Sequence, residues 1–177
     1  MEALQIRKWK SSDLKQIMSY RDEFFEEGKT ECIEGATGLA EATSIEAWFE
    51  MLRNNEHEET LPEGFVPATT YVFERLHDEK IVGIINIRHR LNDFLLNYGG
   101  HIGYSVRKSE RRKGYAKEML AQALDICKEL DLYEVLITCH KSNVASRHTI
   151  RCNNGVLEDE IFDGNDMMQR FWITLDK

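Results

Sequence analysis

Seven short segments of the chain are predicted to be β-strands, most of them because apolar and polar residues alternate. Branched and aromatic side chains are frequent in them, as is usual for strands. The segments 69–76 and 80–88 flank a polar turn at 77–79, so they are predicted to form an antiparallel hairpin. The run 134–139 is almost continuously apolar, which is typical of a buried central strand. The seven predicted strands are 4–8, 69–76, 80–88, 101–107, 134–139, 156–162 and 167–174.

Four other segments carry apolar residues at helical spacing. The first follows N-cap candidates at 11–13 and runs to about Glu27, and the second spans Ile45 to about Arg53 after Ser44 or Thr43. The third begins near residue 112, ends at about 131, and has a continuous apolar stripe on one face. The fourth covers 143–153 and ends at Asn154-Gly155, a pair that favours a left-handed C-cap. The segments 28–42, 56–67 and 91–100 are predicted to be loops.

Neither an internal repeat nor a linker interrupts this order, so residues 1–177 are predicted to form a single mixed α/β domain. A chain of 177 residues with 42% apolar side chains is long enough for one sizeable core. The formal net charge of −8 argues against non-specific binding to nucleic acid or to an anionic membrane. A local basic patch remains compatible with binding an anion.

Targeting and metal signals are not found in the sequence. No apolar run approaches the roughly 20 residues that a membrane span needs, and the first ten residues lack an apolar signal core. The four cysteines form no CxxC pair and have no zinc-like spacing to histidine, so free thiols and no metal are expected. These features predict a cytoplasmic protein.

The junction between the strand 101–107 and the long helix is strongly basic, although the protein is acidic. A helix start exposes unpaired N–H groups and a partial positive charge, and Gly114 lets an anion approach the backbone. The junction therefore fits phosphate groups. A solvated basic turn that caps the helix is the alternative. The five basic residues are Arg107, Lys108, Arg111, Arg112 and Lys113.

The pattern Arg111-x-x-Gly114-x-Ala116, placed between a strand and a helix, resembles the R/Q-x-x-G-x-G/A signature of the GCN5-related N-acetyltransferase (GNAT) family. Neither the GxxxxGK[ST] phosphate loop nor the GxGxxG dinucleotide fingerprint is present. The resemblance implies a central mixed, mostly antiparallel twisted sheet of about seven strands with about four flanking helices. It also implies that acetyl-coenzyme A is the co-substrate. The cofactor-binding residues that it implies at the junction are Val106, Arg107, Arg111, Arg112, Lys113, Gly114, Tyr115 and Ala116.

A second motif, Asn143-x-x-Ser146, opens the helix that follows the buried strand. It resembles the family's N-x-x-S box, in which the Asn contacts the pantetheine arm and the Ser lies near the cofactor. Simple capping of the helix is the alternative. Together the two motifs imply an N-acyltransferase in which an amine attacks the thioester directly.

The resemblance also implies where the reaction takes place. In the family, a backbone N–H of the strand before the loop polarises the thioester carbonyl, so Ser105 and Val106 are the candidates here. Members with a catalytic Glu on this strand carry it ten residues before the motif, where this chain has His101. A neutral imidazole is able to accept the amine proton, although His101 is equally compatible with a structural role. His89 and His140 are weaker candidates.

One position departs from the family pattern. Many members carry a Tyr seven residues after the Asn of the box, and this Tyr protonates the leaving thiolate; here the position is Ile150. Ser146 or water is the remaining donor. A non-catalytic acyl-coenzyme A sensor and a structural anion-binding domain are therefore the competing hypotheses.

The acceptor is expected to be a small-molecule or peptide amine, and homodimers are common in the resembling family. Polar and aromatic residues of the first helices and of the loops between strands are candidates to line its site. These candidates are Glu31, Glu34, Arg88, Arg90, Asn92 and Tyr98.

Overall fold

A computed structural model describes residues 2–26, 29–30 and 32–177 of the chain. Short 3₁₀ turns at Ser11–Asp13, Glu58–Thr60 and Lys108–Glu110 and a π-helical turn at Leu95–Gly99 connect the longer elements. In chain order those elements are β1 (Leu4–Lys8), α1 (Leu14–Asp22), β2 (Phe25–Glu26), β3 (Lys29–Thr30), α2 (Ile45–Asn54), β4 (Ala68–Arg75), β5 (Lys80–Arg88), β6 (Ile102–Val106), α3 (Tyr115–Glu129), β7 (Glu134–His140), α4 (Val144–Cys152), β8 (Val156–Phe162) and β9 (Met167–Thr174).

The seven predicted strands form two antiparallel sheets. One has the order β1-β4-β5-β6 and the other has the order β7-β9-β8. The predicted mixed α/β fold with seven main strands and four helices is therefore confirmed. Strands β2 and β3 form an additional hairpin of two residues each.

The first helix is shorter than its apolar spacing predicts, because α1 ends at Asp22 rather than near Glu27. The carboxylate of Glu23 accepts hydrogen bonds from Arg107 and from the backbone and side chain of Ser109, which turns the chain away from the helix axis. The buried Phe24 follows in a turn, and β2 then begins at the exposed Phe25. Residue Glu27 lies outside the described residues.

Two predicted helix ends agree with the structure. Ser44 caps α2 by accepting a hydrogen bond from the N–H of Ala47 at 3.1 Å. Asn154 has a φ of +66°, the left-handed conformation expected just after α4. The long helix α3, however, begins at Tyr115 rather than near 112, because Arg112 and Gly114 have φ angles of +67° and +84°.

Two groups of buried side chains lie on the two faces of the first sheet. One face packs against α3 and continues through Ile150 of α4 into the second sheet, around Met119, Leu120 and Phe171. The other face packs against α1 and α2, around Tyr20 and Trp48. The sheet is thus held between helices, and burial of its apolar residues is the main stabilising contribution.

The two sheets meet at one end of the neighbouring strands β6 and β7. The backbone N–H of His101 donates to the oxygen of Leu136 at 2.7 Å, and the N–H of Leu136 donates to His101 Nδ1 at 2.9 Å. Gly100 precedes this contact with a φ of +64°, and a Cβ there would lie 2.6 Å from the oxygen of Leu136. Beyond this junction no backbone hydrogen bond joins β6 to β7 in the described parts of the chain.

We predict that His101→Ala destabilises the protein by about 1–3 kcal/mol, because the buried N–H of Leu136 loses its acceptor. His101→Asn supplies a side-chain oxygen at a similar position and is expected to restore most of this loss. Urea unfolding of the three proteins measures the effect. Equal stability of wild type and His101→Ala would contradict the proposed role of the imidazole.

The same side chain predicts a pH dependence. Burial, and to a smaller extent the charge of Arg88, lowers the pKa of His101 from 6.5 to about 4. The unfolded chain therefore takes up a proton below about pH 6.5 while the folded chain stays neutral, so stability is lost as the pH falls toward 4. At pH 5 this loss is about 2 kcal/mol relative to neutral pH. Unfolding of His101→Asn should lack this contribution, and identical pH profiles would refute the assignment.

Candidate active site

A cleft of about 1000 Å³ opens where β6 and β7 diverge from their junction. Residues of β6 and the start of α3 form one wall, and residues of β7 and α4 form the other. One end of the cleft reaches the turn before α3, and the opposite end reaches Arg88, Tyr98 and Glu34. We refer to these as the loop end and the Arg88 end.

The loop end presents a row of backbone donors. Among the described residues, no acceptor is found for the N–H groups of 112–116, which precede and open α3. Gly114 has a φ of +84°, and a Cβ at this residue would meet no atom within 4 Å. Unpaired N–H groups at the start of a 15-residue helix, next to open space, are the arrangement that favours an anionic ligand.

The basic residues of the junction divide into two sets. Arg111 and Arg112 line the cleft, as predicted. Arg107 does not: it is 3% exposed and donates to Ile81, Gln16, Ser19 and Glu23 beneath α1. Contrary to the prediction, the Arg107 side chain does not reach the cleft, because all three of its nitrogens donate to groups that hold α1 to the sheet.

Lys113 is also outside the cleft lining, since its Nζ donates to Glu110 Oε2 at 2.6 Å. Glu110 is buried and also accepts from Arg75 at 2.9 Å and from Lys80 at 2.6 Å. Burial alone would raise the pKa of Glu110, but the three cations together lower it to about 2. This carboxylate therefore attaches the turn to β4 and β5. The ammonium group of Lys113 is engaged in this contact, so only its backbone N–H remains directed to the loop end.

Tyr115 and Ala116 both line the cleft. The hydroxyl of Tyr115, however, points into the domain, where it accepts from Arg75 at 3.0 Å and contacts Glu2. Its contribution to the loop end is therefore the backbone N–H.

The free edge of β6 faces the cleft. Arg107 N–H donates to Val82 O, and Arg88 N–H donates to His101 O, so the odd-numbered residues of β6 direct their backbone groups to β5. By alternation, Tyr104 and Val106 direct theirs toward β7. Val106 O accepts from Arg111 Nε at 3.3 Å. Of the two predicted thioester donors, Val106 thus faces the cleft, whereas the backbone of Ser105 is directed to β5; the Ser105 hydroxyl accepts from Tyr20 at 3.0 Å.

The motif at the start of α4 places two hydroxyl groups together. Asn143 caps the helix by accepting from the N–H of Ser146 at 3.1 Å, and both residues line the cleft. The Ser146 hydroxyl lies 2.9 Å from the Tyr104 hydroxyl, which reaches across from β6. Burial raises the pKa of Tyr104 to about 12, so the phenol keeps its proton at neutral pH. Tyr104 is not among the residues predicted from the sequence. The signal that points to it is Ile150, which leaves the family's proton-donating Tyr position empty, so that a Tyr on a neighbouring strand becomes a candidate for that role.

The histidines differ in their positions. His101 does not line the cleft, and its Nδ1 is used in the junction with Leu136, so the geometry does not favour it as the base. His89 contacts Thr69 at 2.9 Å and is also outside the cleft lining. His140 lines the cleft and holds Asp163 at 2.8 Å through Nε2.

The predicted acceptor residues are only partly brought together. Glu34, Arg88 and Tyr98 line the cleft. Arg90 instead pairs with Glu58 on the surface, and Asn92 caps the turn at 95–99 by accepting from the N–H of Leu95. These contacts account for both polar side chains without a ligand, and a sequence pattern does not distinguish them from a binding role. Glu31 lies outside the described residues.

The described part of the chain contains no group of three or more His, Cys, Asp or Glu placed to hold a metal ion. Among the described helices, none has the length and apolarity required to cross a membrane.

Comparison with known proteins identifies a matching family. The family model described as an acetyltransferase (GNAT) domain matches residues 3–153. No curated protein matches the sequence significantly.

Solved structures share the fold at low sequence identity. The ribosomal-protein-S5-alanine acetyltransferase from Vibrio fischeri has a TM-score of 0.70 at 19% identity, covering 99% of this chain and 95% of its own. Mutant forms of the spermidine/spermine N-acetyltransferase SpeG from Vibrio cholerae have a TM-score of 0.67 at 15% identity, and the match covers 97% of this chain and 93% of theirs. The acetyltransferase-like protein yncA from Salmonella typhimurium, solved with its cofactor acetyl-CoA, has a TM-score of 0.60 at 14% identity. The match covers 99% of this chain and 95% of yncA.

We predict that Gly114→Glu abolishes binding of coenzyme A while the protein stays folded. The new side chain meets no protein atom, but its carboxylate repels phosphate at the loop end. Gly114→Gln is the matched control, since it has the same size and the same left-handed strain without the charge. Calorimetric titration should show a much larger loss of affinity for coenzyme A in Gly114→Glu than in Gly114→Gln. Unchanged affinity in the Glu variant would remove coenzyme A from this site.

Proposed function

The chain belongs to the acetyltransferase (GNAT) family, and we propose that it transfers the acetyl group of acetyl-coenzyme A to the amine of a small molecule or peptide. The observation that carries this proposal is the row of unpaired N–H groups at 112–116, which opens into the gap between β6 and β7. An open Gly114 and two cleft-lining arginines fit the phosphates of coenzyme A. The structure of yncA contains its cofactor acetyl-CoA, which supports acetyl-coenzyme A as the co-substrate here.

The remaining contacts follow the length of the cleft. The gap between the strands takes the extended pantetheine arm, and the Asn143 side chain at its wall is placed to contact it. The N–H of Val106, at the free edge of β6, is the donor for the thioester oxygen, and Tyr104 N–H is the next donor along the same edge. When bound, the thioester supplies an activated acetyl group: the amine nitrogen bonds to its carbonyl carbon while the carbon–sulfur bond breaks and leaves a thiolate.

We assign protonation of that thiolate to the hydroxyl pair of Tyr104 and Ser146. The Tyr104 phenol is protonated at neutral pH and is 2.9 Å from the serine hydroxyl, so one group donates to the thiolate and takes a proton from the other. The proton that the amine gives up on forming the amide passes to water, and water returns a proton to the hydroxyl pair. The pair thus stands in for the tyrosine that is absent at Ile150. Glu34, at the other end of the cleft, provides a negative charge for the approaching ammonium group.

Turnover is tested by following thiol release from acetyl-coenzyme A with a panel of amines that includes polyamines, amino acids and short peptides. Acetylation of at least one amine with saturation kinetics is expected. Tight binding of coenzyme A without transfer to any amine would contradict the enzymatic function and favour a cofactor sensor.

We predict that Tyr104→Phe lowers kcat by about 10²-fold, because loss of a general acid typically costs about 10²–10⁴ in rate. Ser146→Ala should lower kcat similarly, and the double variant little further, because the two hydroxyls act as one pair. The affinity for coenzyme A should stay unchanged. Tyr20→Phe, which removes a buried hydroxyl bonded to Ser105, is the matched control. A normal kcat in Tyr104→Phe would remove the phenol from the reaction.

A further inference from the structure

Arg88 forms the floor of the cleft at the end opposite the phosphate-binding turn. Its side chain is partly buried, and Nη1 donates to the oxygens of Gly99 at 3.0 Å and Gly100 at 3.1 Å. For Nε and Nη2, no acceptor is found in the described parts of the chain. One nitrogen therefore fixes the side chain, while the rest of the guanidinium remains available to a ligand.

The charge of Arg88 has no ion-pair partner among the described residues. The other buried arginines of this domain, such as Arg75 and Arg107, each contact a carboxylate within 3 Å. Burial lowers the pKa of Arg88, and the negative charge of Glu34 only partly offsets this effect. A partly buried cation without a counter-ion is costly, and an anionic ligand in the cleft would remove the cost.

Arg88, at the end of β5, and the segment that carries Glu34 pack against the same stretch of β6. A Cβ on Gly103 would be 3.7 Å from Arg88 Nη2, so the guanidinium lies directly over the Gly103 backbone. The neighbour of Glu34, Gly35, packs on the same residues: a Cβ there would lie 2.5 Å from Gly103 O and 2.8 Å from Tyr104 Cα. The proposed thioester donor Val106 is three residues further along the strand, which is about 10 Å.

Opposite charges thus face the cleft side by side without contacting each other. Glu34 makes no salt bridge within 4 Å of Arg88, and its one described hydrogen bond is from Cys32 Sγ at 3.5 Å. A molecule that carries an ammonium group close to a carboxylate would satisfy both charges. Spermidine-like polycations and amines without an acid group would leave Arg88 unpaired and add a second positive charge beside it.

We propose that the acceptor is an α-amino acid or a close analogue, whose carboxylate is bound by the free edge of the Arg88 guanidinium and whose amine is directed by Glu34. This inference rests on the proposed acetyltransferase function and defines its acceptor class. An arginine suits the task because Nε and Nη2 together match the two oxygens of a carboxylate. Attack through the α-amine consumes the free amine and leaves an N-acetylamino acid with its carboxylate intact.

The test compares each of the twenty L-amino acids with its primary amide as acceptor for wild-type protein and acetyl-coenzyme A. The amide keeps the amine and the side chain but has no negative charge. For the accepted amino acid, kcat/KM should exceed that of the amide by about 10²-fold, the magnitude expected for charge-assisted hydrogen bonds. Arg88→Met should reduce this ratio to about one, and Arg88→Lys should give an intermediate ratio.

Arg90→Met is the matched control, because Arg90 lies two residues away and pairs with Glu58 outside the cleft lining. It should keep the wild-type ratio. Coenzyme A titration of each variant checks folding and the distant loop end independently of the acceptor. If Arg88→Met does not fold, the wild-type comparison of acids with amides still decides the question.

The outcomes separate the two proposals. Preference for amino acids that disappears in Arg88→Met supports the carboxylate site. Equal or better turnover of amides and of amines without an acid group overturns it, while the acetyltransferase function stands. Binding of coenzyme A without turnover of any acceptor overturns both.

Discussion

The contact between His101 and Leu136 is the constraint on which the site depends. Two hydrogen bonds, one between backbone groups and one through the imidazole, join β6 to β7 at one end only. Gly100 permits this approach because it has no Cβ to meet the backbone of β7. From that point the strands separate, so the backbone edge of β6 remains unpaired inside a cleft. If β6 and β7 were hydrogen-bonded along their whole length, no space would remain between them for a ligand.

The turn before α3 has a second fixed point in Glu110. Its carboxylate holds Arg75, Lys80 and Lys113 and so attaches the turn to the hairpin of β4 and β5. Because these three cations are bonded to Glu110, the positive groups that line the loop end are Arg111, Arg112 and the helix N-terminus. The charged residues of the junction thus divide between those that hold the turn and those that line the cleft.

The sequence predicts strands and helices well where the apolar period is regular, and it predicts the site only where a motif fixes the backbone. The α3 junction and the Asn143 cap were recognisable because glycine and capping residues have local functions. Arg107 and Arg90 carry the same charge as Arg111 but pair with Glu23 and Glu58, which are far away in sequence, so no local pattern separates them. Lys113 pairs with the nearby Glu110, but that carboxylate is buried through contacts with Arg75 and Lys80 of distant strands. Tyr104 was not predicted, and Arg88 was predicted only as one of six acceptor-site candidates, because the roles of both depend on contacts between separate elements.

We propose that the unpaired amides along β6 and at the start of α3 together bind coenzyme A. Amide chemical shifts of ¹⁵N-labelled protein, followed during titration with coenzyme A, report on each of these N–H groups separately. We expect the largest changes at 112–116, Tyr104 and Val106, with the amides of Ser105 and Gly103 less affected because they bond to β5. Saturable binding that leaves the amides of 112–116 and Val106 unchanged would contradict the account.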